Sequence, residues 1–410
     1  MLNSAPSRVS TSIDGVIRNL IWTIAVLLIL LPVLSNERKP RASRSLDFVV
    51  IYGGCKLVAS SPDSLYVPKI QRQVLEDIAP LEKGSGTYGY FMYPPFVPLV
   101  LSPLSRLPYW NAYRVYQGIS AVLYLFGLFL LMKRFLAHDP DLARMMIPFA
   151  LAYLPFIADT WVSGQLSVVG FVAIAMTLGC IEKGNLFGGG LALSLCCYKP
   201  TLLILLLPML LFRRQFRSLL GFATGAVTLV LAAVAAYGWR IWIDYMHFMQ
   251  SAAAEMERLR PLMKYADLTA FFSLLTGPRS APLLALLCGL AILPFLIRAW
   301  RHYEEAPLFV WAITLTWTLI LGPYVPLYDT TLIISSIIVS STQPSFRLHR
   351  FFAPALLMLF ACSWISEVFV LLIHLQLLTV AFAIFGWLQL RMHIQSKAQA
   401  VEIGPEIAMA

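Results

Sequence analysis

Charge is scarce in this chain. Of its 410 residues only 13% are Asp, Glu, Lys or Arg and 59% are hydrophobic, whereas a soluble domain is about a quarter charged. That poverty excludes a water-soluble globular enzyme. Alternating apolar and polar strands are missing too. The apolar runs are long and continuous, which excludes a transmembrane barrel and leaves helices as the spanning elements. The six cysteines show no metal or disulfide spacing. Cys180, Cys196, Cys197, Cys288 and Cys362 fall in or beside apolar runs and only Cys55 lies in a large loop, so they read as small apolar residues. There is no HExxH, no GxSxG, no Walker loop and no Cys/His pair spaced for zinc. Asp139-Pro140-Asp141 imitates a metal-binding DxD but falls in a short connection, where it reads as a solvated turn. No metal site and no cofactor are expected.

The net charge of +10 does not point to nucleic acid. Lysines and arginines sit in short clusters between apolar runs, as in Arg213-Arg214-Gln215-Phe216-Arg217, which is the pattern of cytoplasmic loops. A span needs about 20 mostly apolar residues, fewer where flanking side chains snorkel. Twelve cores are expected, at 20–34, 115–132, 145–158, 166–181, 186–198, 201–212, 218–237, 281–297, 307–322, 330–342, 351–363 and 367–390. The last two are separated by "SWISE" alone.

Charge bias places both termini in the cytoplasm. The inner loops then carry Lys133, Arg134, Arg144, Lys183, Arg213, Arg214, Arg217, Arg298, Arg301, Arg347 and Arg350, and the short outer turns only Lys199. Arg38, Lys39, Arg41 and Arg44 disagree, but they lie in a long loop, and long loops cross largely regardless of charge. The first span resembles a signal sequence, with Val33-Leu34-Ser35 as a faint cleavage site; it reads as a retained anchor helix. The organisation is therefore a cytoplasmic N-terminus (1–19), one membrane domain (20–390) and a cytoplasmic tail (391–410). Most non-membrane mass lies in two outer loops, about 35–112 and 238–280. Chemistry belongs on that face.

Polar residues mark it. In "RSLDFVVIYGGCKLV" (44–58), Ser45 or Asp47 can cap a helix whose Phe48, Ile51, Tyr52, Cys55 and Val58 recur near the helical period, describing a helix laid on the outer surface. The segment "YGYFMYPPFVPLVLSPLSRLPYW" (88–110) has too many prolines for one straight helix; it can wall a substrate cleft, and Tyr93 lies in it. Gln165 in "SGQLS", Lys199 in "CCYKP", and Tyr328 and Asp329 in "GPYVPLYD" stand at outer ends of apolar helices, where burial without a partner costs several kcal/mol. Arg258, Arg260 and Lys264 form a basic cluster in the second outer loop that could meet a lipid phosphate, or pair with the two neighbouring glutamates.

The order of "LDFVVIYGGCKLV", "SLYVP", "YPPFVPLVLSPLSRLP", "GQLS", "YKP" and "LYDTTL", from about residue 47 to 335, resembles glycosyltransferase family 87. This is the GT-C group of polyprenyl-phosphate-mannose-dependent α-1,2-mannosyltransferases and their bacterial relatives. The resemblance implies an all-α GT-C bundle of about 12 transmembrane helices with extracytoplasmic juxtamembrane helices, set in a bacterial plasma membrane. It implies an inverting transfer of a hexose, mannose first, from a polyprenyl-phosphate sugar to a glycolipid or glycan acceptor. Asp47 occupies the place of the family's catalytic base. Lys199, or else Arg258 and Lys264, would meet the donor phosphate, while Tyr93, Gln165, Tyr328 and Asp329 would line the substrate. The histidine often found beside the late Tyr-Asp pair is replaced here by "PYVPL", which leaves sugar and acceptor open. The rivals are another extracytoplasmic glycan enzyme, which would need more basic residues for a diphosphate carrier, and a lipid or polysaccharide transporter, which would need charge deep in its spans.

Overall fold

The computed structural model describes residues 8–38, 46–80 and 89–407. These form eighteen α-helices joined by 3₁₀ and π turns, with no strand among the described residues beyond an isolated bridge between Tyr265 and Pro326. Helix α1 (Arg8–Arg38) is followed by α2 (Leu46–Ser60), α3 (Pro68–Ile78) and α4 (Phe96–Leu101), which occupy the loop expected at 35–112. Then come α5 (Tyr109–Phe135), α6 (Pro140–Leu151), α7 (Ser167–Glu182), α8 (Leu186–Leu193), α9 (Leu206–Phe212) and α10 (Phe216–Tyr237). The second long loop holds α11 (Arg240–Leu259) and α12 (Leu268–Thr276). The chain ends with α13 (Ala281–Arg301), α14 (Pro307–Leu321), α15 (Ile333–Ser340), α16 (Pro344–Arg347), α17 (Phe352–Ile373) and α18 (Leu377–Ile407).

Among the described residues, six helices are long and apolar enough to cross a membrane: the 19–38 part of α1, α5, α10, α13, α17 and the 377–395 part of α18. Helix α6 and the π-wound turn Pro155–Val162 pass the same test together across a 50° bend. The chain is a multi-pass membrane protein. Five of the twelve expected cores fall on apolar helices too short to qualify alone, at 167–182, 186–198, 200–212, 307–321 and 327–340. Burial gives the reason for α14 and α15: every residue from Phe309 to Ile320 and from Ile333 to Ser340 is buried. A helix that is apolar all round and enclosed by others belongs inside a bundle. The long helices carry the exposed apolar side chains, such as Leu231, Leu283 and Leu371.

The ends of the elements follow local chemistry. Asp139 caps α6, accepting from the Leu142 amide at 3.0 Å with Pro140 in the first turn, so the "DPD" stretch is a helix start; Asp139 also pairs with Arg347. Helices α8 and α10 touch backbone to backbone: a Cβ at Gly190 would stand 1.8 Å from the Ser218 carbonyl oxygen, and one at Gly221 2.1 Å from that of Phe187. Small residues permit that approach.

Two expectations are corrected. The last two cores do not separate at "SWISE", because α17 runs through it and the chain turns at left-handed His374; apolar composition alone could not locate a break made by backbone conformation. Helix α2 is not laid on a surface. Phe48, Ile51, Tyr52, Cys55 and Val58 are buried as their spacing predicts, but so are Val49 and Leu57 on the other side, because α3 and α4 cover it. The loop segments clasp each other as well: Arg72 and the Tyr90 hydroxyl both reach Glu255, and Tyr66 packs on Tyr245.

Candidate functional site

The first turn of α2 is docked on the turn that follows α6. The Phe48 amide donates to the Ser163 carbonyl at 3.0 Å. Gly164 has φ +82°, and a Cβ there would lie 2.7 Å from that of Phe48. Only glycine accepts both the conformation and the contact. This holds Asp47, which is half-buried, near Gln165 and Ser163, whose side chains favour its ionised form. Gln165 is fixed from its other side, since the Tyr93 hydroxyl donates to Oε1 at 2.7 Å and Tyr116 donates to the backbone carbonyl at 3.0 Å. With Oε1 engaged by Tyr93, the amide group of Gln165 is left as a donor on the side of Asp47. Burial pushes the Asp47 carboxyl above its ordinary range, and the neighbouring Gln165 and Ser163 side chains and the field of Lys264 only partly oppose it.

Lys264 stands beside this group and is bracketed by two acids. Its Nζ lies 3.1 Å from Asp159 and 2.5 Å from Glu367. Burial works against the ammonium, but the paired carboxylates outweigh it and raise its pKa. The side chain nevertheless keeps 41% of its surface. Asp159 comes from the π-wound turn, a feature frequent at functional sites because it re-aims side chains.

Lys199 lies in a different setting. It pairs with Asp329, which also accepts from Ser167 at 2.9 Å, and its ammonium sits 4.6 Å above the Tyr328 ring and 5.2 Å from that of Tyr324. The lysine side chain is 11% exposed and the aspartate is sealed. Arg260 pairs with Asp267, which caps α12 through the Ala270 amide (2.9 Å) and accepts from the Val325 amide (3.0 Å). The Arg260 guanidinium stacks 4.1 Å from the Tyr265 ring, and Tyr265 shares a 2.5 Å hydrogen bond with Tyr324. The second long loop is thereby pinned to the turn before α15.

Of the residues singled out from sequence, Asp47, Tyr93, Gln165 and Lys264 gather in one polar cluster. Lys199, Tyr328 and Asp329 form a second, deeper one, linked through Tyr93 and Tyr324, which feel the charges of both Asp47 and Asp329. The side chain of Arg258 lies outside the described residues, as does Ser45. Asp159, Ser163 and Glu367 were missed. A charged residue inside an apolar run is itself a signal, and both "PFIADTWV" and "SWISEVFV" carry one. Among the described residues, no three His, Cys, Asp or Glu side chains gather into a group that could hold a metal.

The model of glycosyltransferase family 87 matches residues 91–325, more than half of the chain. The chain belongs to glycosyltransferase family 87. No curated protein and no solved structure matches it. In this family-87 glycosyltransferase the matched stretch contains Tyr93, Asp159, Gln165, Lys199 and Lys264. It is narrower than the 47–335 expected, so Asp47, Tyr328, Asp329 and Glu367 stand outside it and are tied to it by contacts alone.

Proposed function

We propose that this glycosyltransferase moves a hexose, mannose first, from a polyprenyl-phosphate sugar to a glycolipid or glycan acceptor, with inversion, on the extracytoplasmic face of the bacterial plasma membrane, and that the shorter helices complete a GT-C bundle of about twelve spans. The observation that carries this reading is the placement of Asp47. It is a half-buried carboxylate set near the Gln165 and Ser163 side chains and within the field of a partly exposed lysine, at the end of the bundle where both long loops meet.

In a single displacement the acceptor oxygen bonds to the anomeric carbon as the bond from that carbon to the phosphate oxygen breaks, and the phosphate leaves with the electron pair. The acceptor hydroxyl becomes acidic only as the new bond forms, so Asp47 takes its proton in the transition state, an effect of about 10²- to 10⁴-fold. A raised pKa makes it the stronger base. Lys264 is the cation for the leaving phosphate, because it is the more accessible lysine and already acts on Asp47. To meet the phosphate it exchanges one carboxylate partner for the donor. Lys199, closed in by Asp329, orders the Tyr328 wall instead, and Tyr93 and Gln165 orient the base and the acceptor. A fixed ammonium facing a monophosphate leaving group requires no metal.

The test is transfer of labelled mannose from polyprenyl-phosphate-mannose into lipid or glycan products by membranes containing the wild type or Asp47→Asn. Incorporation by the wild type that a well-folded variant loses supports donor and base together. Equal incorporation by both overturns the role of Asp47, and incorporation from a polyprenyl-diphosphate sugar alone overturns the donor class.

A further inference from the structure

A cavity of about 540 Å³ lies beside the second half of α2, between α2, α3 and the turn that leads into α5. It is separate from Asp47. Tyr52 and Tyr109 form its inner wall, and both pack on Phe48, at 6.0 and 5.8 Å between ring centroids. Lys56, the charged residue of this wall on α2, is nine residues beyond Asp47, or about 14 Å along a helix.

Three charged side chains face the space: Lys56 of α2, Arg106 ahead of α5 and Asp77 of α3. None of them has an ion-pair partner among the described residues. The contrast with the rest of this end of the molecule is sharp, since Lys199, Arg260, Lys264 and Arg72 are all paired with acids. Lys56 rests only near the Tyr52 ring, at 5.8 Å. Two cations and one anion therefore stand around one cavity without an ion pair between them, and Ser60 and Ser105 also line it.

The level of the cavity matters as much as its charge. Tyr109 is both part of its wall and the first residue of the membrane-crossing helix α5. A cavity at a span's end opens where lipid headgroups lie. Cations there attract phosphate, and a carboxylate beside them favours a ligand that also carries an ammonium. The geometry points to a binding site for a zwitterionic phosphate–amine headgroup of the phosphoethanolamine class, with the phosphate on Lys56 and Arg106 and the ammonium on Asp77.

Native mass spectrometry of the purified full-length protein, titrated with short-chain phosphatidylethanolamine, phosphatidylcholine and phosphatidylglycerol, tests this. The expected result is tighter binding of phosphatidylethanolamine than of phosphatidylcholine, whose quaternary ammonium has no N–H to donate. Lys56→Gln/Arg106→Gln should bind phosphatidylethanolamine about tenfold more weakly or worse, the loss of one charge-assisted contact being enough for that factor. Asp77→Asn should shift preference toward phosphatidylglycerol. All three positions are exposed, and a thermal melt confirms folding of each variant. Unchanged affinity in the folded double variant overturns the site. Displacement of the lipid by soluble phosphoethanolamine at equal concentration overturns its assignment to a lipid. Indifference of the wild type to the headgroup overturns the role of Asp77.

Discussion

Two lysines of this glycosyltransferase are held by carboxylates a short way apart, and they differ in depth. Lys264 keeps 41% of its side-chain surface and sits between Asp159 and Glu367, with Asp47 close enough to feel its charge. Lys199 keeps 11%, and its partner Asp329 keeps none. Stripping water from an ion pair costs several kcal/mol per charge, which mutual attraction repays only when the geometry is good and both partners remain. The deep pair is thus locked, since either partner alone would be a charge with no solvent. The shallow group has an alternative, because water or an anionic substrate can replace a carboxylate. Sequence position offers both lysines for the donor phosphate, Lys199 at the outer end of an apolar helix and Lys264 in the basic cluster of the second outer loop. Depth separates them into one that solvent reaches and one that it does not, and on the function proposed above the first meets the substrate.

The sharpest way to break this contrast is at Asp47. Asp47→Asn should lower sugar transfer by about 10²- to 10⁴-fold with the melting temperature unimpaired; a variant that loses activity only by unfolding would return Asp47 to a structural role. Next in size is the deep pair. Lys199→Met should destabilise the protein by about 3–5 kcal/mol, seen as poor yield and a lowered melt, and adding Asp329→Leu should recover much of it. If Lys199→Met folds normally and loses only donor affinity, the two lysines have been assigned the wrong way round. Gly164→Ala comes third, at about 1–3 kcal/mol, because φ +82° and the 2.7 Å approach to Phe48 both resist a side chain. Any folded fraction should show reduced transfer, since α2 carries Asp47. Smaller still in its effect on transfer, Lys264→Met should raise the donor KM about tenfold, a change of 1.4 kcal/mol, together with a lowered melt because buried Asp159 loses its cation. An unchanged KM would remove Lys264 from the phosphate.

The sequence foretold where the polar marks would lie better than what they would touch. Asp47, Gln165 and Tyr93 are far apart in the chain, yet each was visible as a mark of the outer face, Asp47 at a helix start, Tyr93 in the proline-rich segment and Gln165 at the end of an apolar helix, and the structure brings them together. The buried face of α2 followed from its helical spacing. What spacing could not convey was how many neighbours cover a helix, so α2 looked like a surface helix although α3 and α4 enclose its other side. Lys199 looked available because its partner lies 130 positions away, and a long-range ion pair leaves no local trace. Asp159 and Glu367 could have been found from charge inside apolar runs. The chain length of a span also misleads for α14 and α15: enclosed in the bundle, they need not match the bilayer's thickness, so counting apolar cores does not by itself count crossings.

The finest distinction between the two regions comes from pH. Burial raises the Asp47 carboxyl above its ordinary value. The base must be ionised to accept a proton, so transfer should rise with pH through that raised value and level off above it, and this step should vanish in the residual activity of Asp47→Asn. Stability runs the other way. A carboxyl whose folded pKa is raised contributes stability that is fully present below its unfolded value, near 4, and lost as pH rises through the folded one. Asparagine titrates nowhere in that window. Melting temperatures of wild type and Asp47→Asn should therefore change relative to each other as pH rises above the unfolded value and through the raised folded one, the inactive variant gaining on the wild type. That is the mark of a carboxylate kept for chemistry at a cost to the fold. A wild type that gains on the variant as pH rises would show that the ionised Asp47 stabilises the folded protein, as a helix cap does, and the contrast between a shallow reacting group and a deep structural pair would lose its first member.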